Sequence, residues 1–373
     1  MHLRNIRLVD FRCYGSLELS FDPGINYVYG CNGQGKTSLV EAVCLLSTMR
    51  SFRGAKNAEL IRWGVEAGAH IEGTLAHGQI TTEISLAVAP GSKVARINGK
   101  ACRLLSEFFG RFPVVAFSPS DIEIIRGGPE ERRAWTDRLS TIVDVSHADR
   151  ASRYHRALIQ KNRLLKEFAQ GQKPLGEEFH VWNEQLLELG AQIIHSRMLA
   201  CREFEPVVTQ YYQRISGGSA RVGIQYESTA LSEQETGQGD VPSVDSISQF
   251  LKEKQEDMLR KECLLGTSLV GPHRDDIKLS LQNKSLRNFG SQGEVRTAVM
   301  AMRLSEGDVL ARVRQAPPIL VIDDLSSELD AQRRGFLVDY LNSTPSQVFL
   351  TTTEEHGFGK KYLVIDGKVS AHG

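Results

Sequence analysis

The chain has 373 residues and a mass of 41.5 kDa, enough for two or three domains with substantial cores. Its 41% hydrophobic and 24% charged content are those of an ordinary globular protein, and no apolar run approaches bilayer length, which leaves no candidate for a membrane-spanning helix. Forty-five basic and 45 acidic side chains cancel, so net charge offers no argument for a nucleic-acid partner, and any such contact must come from local clustering. The six cysteines include no Cys-x-x-Cys pair and no zinc-ligand spacing, and are expected to be reduced thiols. The N-terminal MHLRNIRLVDF contains no signal-peptide core, so a cytoplasmic location is expected.

Ile6, Leu8 and Phe11, then Leu17, Leu19 and Phe21, alternate as strands do, and Asp22-Pro23-Gly24 supplies a turn. Tyr27, Val28 and Tyr29 end a buried strand, and Lys36 opens a helix whose apolar positions are Leu39, Val40, Ala42, Val43 and Leu46. Between them Gly30, Cys31, Asn32, Gly33, Gln34, Gly35, Lys36, Thr37 and Ser38 fit the P-loop pattern Gly-x-x-x-x-Gly-Lys-Thr without mismatch. Glycines allow successive backbone N–H groups to converge on phosphate oxygens, and the helix N-terminus adds partial positive charge. Lys36 reaches the β- and γ-phosphates, and Thr37 offers a hydroxyl to Mg²⁺. A nucleotide-binding protein that takes ATP and Mg²⁺ is the expectation.

After RSFRG at 50–54, the stretches 69–76, 79–89 and 93–97 read as antiparallel strands, and 113–117 as a short apolar strand. From about Asp121 the pattern turns helical. Tyr154, Leu158 and Leu165, then Trp182, Leu186, Leu189 and Ile193, form two stripes separated by a break at 171–176, a helical hairpin. A polar loop at 227–244 precedes another helix marked by Ile247, Leu251 and Met258. The first stripe's helix also carries Arg150, Arg153, Arg156 and Lys161 with no acidic residue between 150 and 166. A solvated helix face accounts for such a run, as does a surface that contacts the phosphates of DNA, with Arg126, Arg132, Arg133 and Arg138 as a second group.

Near the end of the chain PPILVIDDLSSELD places Asp323 and Asp324 at the end of an apolar strand, the Walker B arrangement. Asp323 is expected to hold the metal's water shell, and Asp324 to orient or deprotonate an attacking water. Lys36 and Asp323 lie 287 positions apart, so a large segment is inserted into one nucleotide-binding head. Ser291 and Gly293, in GSQGE before a helical segment, suit a γ-phosphate, although a helix cap explains the same residues. Ser327-Glu328-Leu329-Asp330 has the form of a D-loop.

Together GCNGQGKTSLVEA, RSFR, GGPEERR, QKN at 160–162, GPHRDD at 271–276, GSQGE and IDDLSSELD resemble the RecF family, within the SMC-type ATP-binding-cassette ATPases of DNA repair. The resemblance implies an α/β fold: a P-loop ABC-type ATPase head, mixed in sheet and with an antiparallel β subdomain, formed by 1–117 plus 262–373. A helical arm would occupy 118–261. It implies a weak, DNA-dependent ATPase used as a switch: an ATP-driven homodimer in which Ser291 acts in trans, holding DNA, duplex or single-strand/duplex junctions, and working with RecR and RecO to place RecA. Two features depart from expectation: Lys161 stands where arginine is expected, and Thr351-Thr352-Thr353 stands where transporter-type cassettes carry a histidine. The Q-loop is expected at 118–121. The alternatives are a phage-defence ATPase, which would carry an added nuclease domain, and a small-molecule phosphotransferase, for which no lid or acceptor site is visible.

Overall fold

The computed structural model describes residues 1–237, 240–324, 330–353 and 359–372. Its chain divides into two compact units, one of Met1–Asp121, Arg214–Gly217 and Met300–Gly373, the other of Ile122–Gln213 and Gly218–Val299.

In the first unit, β1 (His2–Phe11), β2 (Tyr14–Ser20), β4 (Ala69–His77), β5 (Ile80–Ala89), β6 (Ser92–Ile97) and β7 (Lys100–Ala101) form an antiparallel sheet in the order β2-β1-β4-β5-β6-β7. Along β1, Ile6 and Leu8 are buried and Arg7 between them faces solvent, as a strand with one wet face requires, and the register shift against β4 between Leu3 and Asn5 lets Leu3 be buried as well, three positions from Ile6. A second sheet runs β15-β14-β3-β13-β12-β8, with β3 (Ile25–Tyr29), β8 (Val114–Phe117), β12 (Ile319–Asp323), β13 (Val348–Thr352) and β14 (Lys360–Ile365) all parallel and β15 (Lys368–His372) antiparallel at its edge. All five residues of β12 are buried, which is why it reads as a continuous apolar run rather than an alternating one. The helix α1 (Lys36–Thr48) is buried along most of its length, with Leu39, Val40, Ala42, Val43, Leu45 and Leu46 inside one core that also takes in β1, β3 and β12 side chains. Short helices α2 (Asn57–Leu60) and α3 (Leu105–Phe108) follow, and α12 (Ala331–Ser343) lies near the end of the chain.

The second unit begins with α4 (Glu123–Arg126) and α5 (Pro129–Val143), whose Pro129 occupies the first helical position after Gly127-Gly128. Next come α6 (Ser146–Ala169) and α7 (Glu177–Ser216), of which the part up to Gln213 belongs to this unit, then α8 (Glu233–Thr236) and α9 (Val244–Leu265). Tyr154, Ala157, Leu186, Leu189 and Ile193 form a core between α6 and α7, the hairpin expected from the two apolar stripes. Helix α9 starts at Ser243, whose hydroxyl accepts the Ser246 N–H, and stops at Gly266, which has φ 65° and donates to the Glu262 carbonyl. The unit is not wholly helical, because β9 (Val222–Glu227), β10 (Asp276–Leu281) and β11 (Lys284–Ser285) form a sheet in the order β11-β10-β9. Short α10 (Leu286–Phe289) and the start of α11 (Gln292–Arg314) close the unit.

Residues 262–299, grouped in the sequence with the head, therefore fall in the second unit. Two pairings bring them there: β10 hydrogen-bonds β9 from Asp276↔Glu227 to Leu281↔Val222, and the Arg132 guanidinium grips the Asp276 carboxylate at 2.7 and 2.8 Å.

Candidate functional site

The parallel sheet gathers three strand ends at one edge. Register pairs Asp323 of β12 with Thr351 of β13, and Thr351 in turn with Val28 of β3, so the loop after β3 and the acidic pair after β12 emerge side by side with β13 between them. Ligand sites in open α/β sheets form outside such carboxyl ends. The loop needs its glycines for space as well as conformation. Gly30 has φ 144°, and a Cβ there would come within 2.4 Å of the Val364 carbonyl oxygen. Gly35 has φ 114°, and a Cβ there would meet the Cys13 sulfur at 2.7 Å. Tyr14 fixes the same turn by donating its hydroxyl to the Gly35 carbonyl at 2.9 Å, and the Gly367 N–H donates to the Gln34 carbonyl at 3.2 Å.

Cys31, Asn32 and Gly33 are exposed at the tip of the loop, while Gln34, Gly35, Thr37 and Ser38 are half-buried and Lys36 is buried. No side chain caps the N-terminus of α1, which leaves its first N–H groups available to an anion. The Lys36 ammonium donates to the carbonyls of Gly30 and Cys31, at 2.7 and 2.9 Å, and so lies within the loop. Thr37 Oγ1 donates to Asp323 Oδ1 at 2.9 Å, across 286 positions of sequence. The Thr351 hydroxyl donates to the same oxygen at 2.8 Å and accepts the Asp324 N–H at 3.0 Å. Burial raises the Asp323 carboxyl above its usual range, opposed by the hydroxyls of Thr351 and Thr37 and by the Arg53 charge, and reinforced by neighbouring Asp324. Asp324 sits just past β12 with φ 47°, a left-handed conformation uncommon outside glycine.

This donor set suits a hard cation that keeps most of its water. Among the described residues no three His, Cys, Asp or Glu side chains converge to make an all-protein cage. One hydroxyl and one carboxylate beside an anion-binding loop are instead what Mg²⁺ bound through nucleotide phosphates uses.

Other expected site residues fall elsewhere. Ser291 and Gly293 belong to the second unit, where Ser291 forms a capping box at the start of α11: its hydroxyl accepts the Glu294 N–H at 3.2 Å, and the Glu294 carboxylate accepts the Ser291 N–H at 2.8 Å. Those bonds from Ser291 hold the Glu294 carboxyl below its usual range. Ser291 remains exposed, and Arg126 donates to the carbonyls of Arg287 and Gly290 just before it. Of the expected D-loop, 327–329 lie outside the described residues, and Asp330 caps α12 by accepting the Arg333 N–H at 2.9 Å. Asp121, within the expected Q-loop, is in a buried ion pair, its carboxylate taking two bonds from Arg303 at 3.0 and 2.5 Å.

The basic run on α6 divides sharply. Arg153 and Arg156 are exposed, with no ion pair or hydrogen bond among the described residues. Arg150 is half-buried and held by Asp144 at 2.7 Å and by Ser146 and Ser196. Lys161 is the correction: it is fully buried, its ammonium 2.9 Å from the equally buried Glu262 carboxylate, and it cannot reach a phosphate from there. Burial lowers its pKa, and Glu262 opposes that shift. The signal was present in the sequence, since Lys161 lies four residues from Ala157 and from Leu165 on the apolar stripe. Arg132 and Arg133 of the second basic group are likewise committed to the fold, to the Asp276 carboxylate and the Asp275 carbonyl.

Comparison with known proteins agrees over the whole length. The RecF/RecN/SMC N terminal domain family matches residues 2–366. The DNA replication and repair protein RecF of Geobacter sulfurreducens is 38% identical over 354 residues, 95% of this chain and 93% of that protein. Its counterpart in Geotalea uraniireducens is 36% identical over 376 residues, 99% of this chain and 100% of that protein. Among solved structures, the recombination mediator protein RecF-ATP in the RecFOR pathway superposes with a TM-score of 0.90 at 30% identity, covering 100% of this chain and 98% of that one. An Smc head domain from Pyrococcus furiosus, at 15% identity and a TM-score of 0.53, shares the fold alone. The chain belongs to the RecF family.

Proposed function

We propose that this protein is an ATP-dependent DNA-binding protein of replication and recombinational repair, whose ATP-bound homodimer holds DNA at gaps or single-strand/duplex junctions and acts with RecR and RecO to load RecA. The observation that carries the reading is the Thr37–Asp323 hydrogen bond of 2.9 Å, which joins a complete phosphate-binding loop to a Walker B carboxylate in a chain similar throughout to RecF proteins. Lys36 and the first N–H groups of α1 bind the nucleotide's phosphates, and Thr37 and Asp323 are the residues that would hold Mg²⁺, which would supply positive charge against the phosphates. Asp324 orients the attacking water and accepts its proton. Slow hydrolysis makes ATP a timer for the DNA-bound state rather than a source of work.

Fluorescence anisotropy on duplex, single-stranded and gapped DNA, with and without ATP, tests the reading. Tighter binding with ATP is expected, and absence of binding to every DNA in both states overturns it. Arg153 and Arg156, one helical turn apart and exposed, supply the DNA contact on the second unit. Reversing both to glutamate weakens DNA binding, and the slope of log K against log salt shrinks by about 0.9 for each phosphate that is no longer neutralised. ATP hydrolysis without DNA is unchanged. An unaltered salt series returns this face to plain solvation.

In this reading Ser291 reads the γ-phosphate held by a second copy of the chain, a role supported by its exposure at the start of α11. Ser291→Arg puts a bulky cation at that position. It abolishes ATP-dependent dimerisation in sedimentation experiments while ATP binding by the monomer persists, and a dimeric variant rules out the shared site.

A further inference from the structure

The strand between the phosphate-binding loop and the acidic pair carries a residue that the motifs pass over. Thr351 is 1% exposed, and its hydroxyl both donates and accepts a hydrogen bond. It gives its only hydrogen to Asp323 Oδ1 at 2.8 Å and accepts the Asp324 N–H at 3.0 Å. A threonine hydroxyl has one donor and two acceptor positions, so both bonds form at once. With Thr37 on the same oxygen at 2.9 Å, the result is a continuous chain from the Asp324 backbone through Thr351 and Asp323 to the start of α1. Asp323 Oδ2 has no hydrogen bond among the described residues and is the oxygen left to accept from a metal's water shell.

Neither neighbour would hold this arrangement alone. Asp323 is a buried carboxylate beside a second carboxylate, and the two hydroxyls on Oδ1 favour one orientation of its side chain. Asp324 takes a left-handed backbone conformation, φ 47°, at which the Thr351 oxygen receives its N–H. Both bonds come from β13, and the Asp323↔Thr351 register sets the threonine level with the acidic pair. A valine would fill the same volume and make neither bond.

We infer that Thr351 is a positioning residue that sets two functions together: the orientation of the Asp323 carboxylate toward the metal and the backbone geometry from which Asp324 addresses the attacking water. The inference rests on the ATP and Mg²⁺ reading above. Thr351 itself touches neither nucleotide nor water in this role, so its loss changes metal uptake and turnover without changing how the loop holds phosphate.

The test uses the full chain as wild type, Thr351→Val and Thr351→Ser. Metal-free ATP binding is followed with a fluorescent ATP analogue in EDTA. Mn²⁺ uptake in the presence of a non-hydrolysable ATP analogue is followed by electron paramagnetic resonance, and kcat and KM by phosphate release. Thr351→Val is expected to bind metal-free nucleotide like wild type, to bind Mn²⁺ about 10- to 100-fold more weakly, the range seen when a partner of a metal ligand is removed, and to lose kcat with little change in KM. Thr351→Ser restores metal affinity and kcat because it keeps the hydroxyl. Thr351→Ala removes the hydroxyl without the branched volume and replaces valine in the comparison if valine disturbs the strand. Wild-type metal affinity in the hydroxyl-free variants overturns the inference, as does a serine variant as defective as valine, which would assign the effect to packing. A wild-type chain that takes up no metal with nucleotide overturns the ATP reading itself, and the inference with it.

Discussion

Asp324→Asn slows ATP hydrolysis by about a hundredfold or more, the scale on which a general base contributes, while nucleotide and metal stay bound. The carboxamide is nearly isosteric, so the left-handed turn at φ 47° and the N–H bond to Thr351 survive the change. The variant can no longer accept a proton from water in the transition state. Because hydrolysis is the step that releases the proposed dimer, the variant remains dimeric in sedimentation with ATP and Mg²⁺ long after wild type has dissociated. Single-turnover phosphate release measures the chemical step directly. A rate within a few-fold of wild type would remove Asp324 from the catalytic role, and dissociation at the wild-type rate would separate hydrolysis from release.

Lys36→Ala loses most of its ATP affinity. The ammonium is 7% exposed and reaches inside the loop, at 2.7 Å from the Gly30 carbonyl and 2.9 Å from that of Cys31, where an incoming phosphate finds a fixed positive charge rather than a mobile surface lysine. Hydrogen bonds to charged groups are worth about 1.5–3 kcal/mol each, so removal of this one side chain weakens binding by about 10- to 100-fold. The Gln34–Gly35 turn is held without it, by the Tyr14 hydroxyl on the Gly35 carbonyl and the Gly367 N–H on the Gln34 carbonyl. Equilibrium binding of ATP, with thermal unfolding in the absence of nucleotide as the control for the fold, separates weaker phosphate binding from a damaged loop. Wild-type affinity in a folded variant would mean that the loop does not bind phosphate through Lys36.

Much of the nucleotide head was legible because its signals are contiguous. Strand, glycine loop and helix occupy fourteen consecutive positions from Asn26 to Leu39, and each element follows from its own backbone conformation or from near neighbours. The same holds for the strands at β4, β5 and β6, where alternation and turn residues stand within a few positions of each other. The two stripes of the helical hairpin were readable because helical periodicity is a local property. The small sheet of β9, β10 and β11 was not: β9 is six residues long, and its partner lies about fifty positions away. Neither segment declares itself until the other is present to satisfy its backbone groups.

Charges show the limit most clearly. Arg153, Arg156 and Lys161 look alike in composition, and their difference depends on which face of α6 each occupies and on what packs there. Lys161 meets Glu262, 101 positions later, and Arg132 meets Asp276, 144 positions later. A charge removed from water must find an opposite charge or lose its own, and only the packed structure supplies the partner. Thr351 belongs to the same class: its sequence neighbourhood shows the lack of a histidine, while its two bonds to the acidic pair depend on β13 lying between β3 and β12. The sequence by itself determined the glycine-rich loop between β3 and α1, the acidic pair at the end of β12 and the family, because those are written in adjacent residues. The tertiary structure alone decided which cations face solvent and which hydroxyls meet at Asp323, because partners distant along the chain are chosen by packing and register.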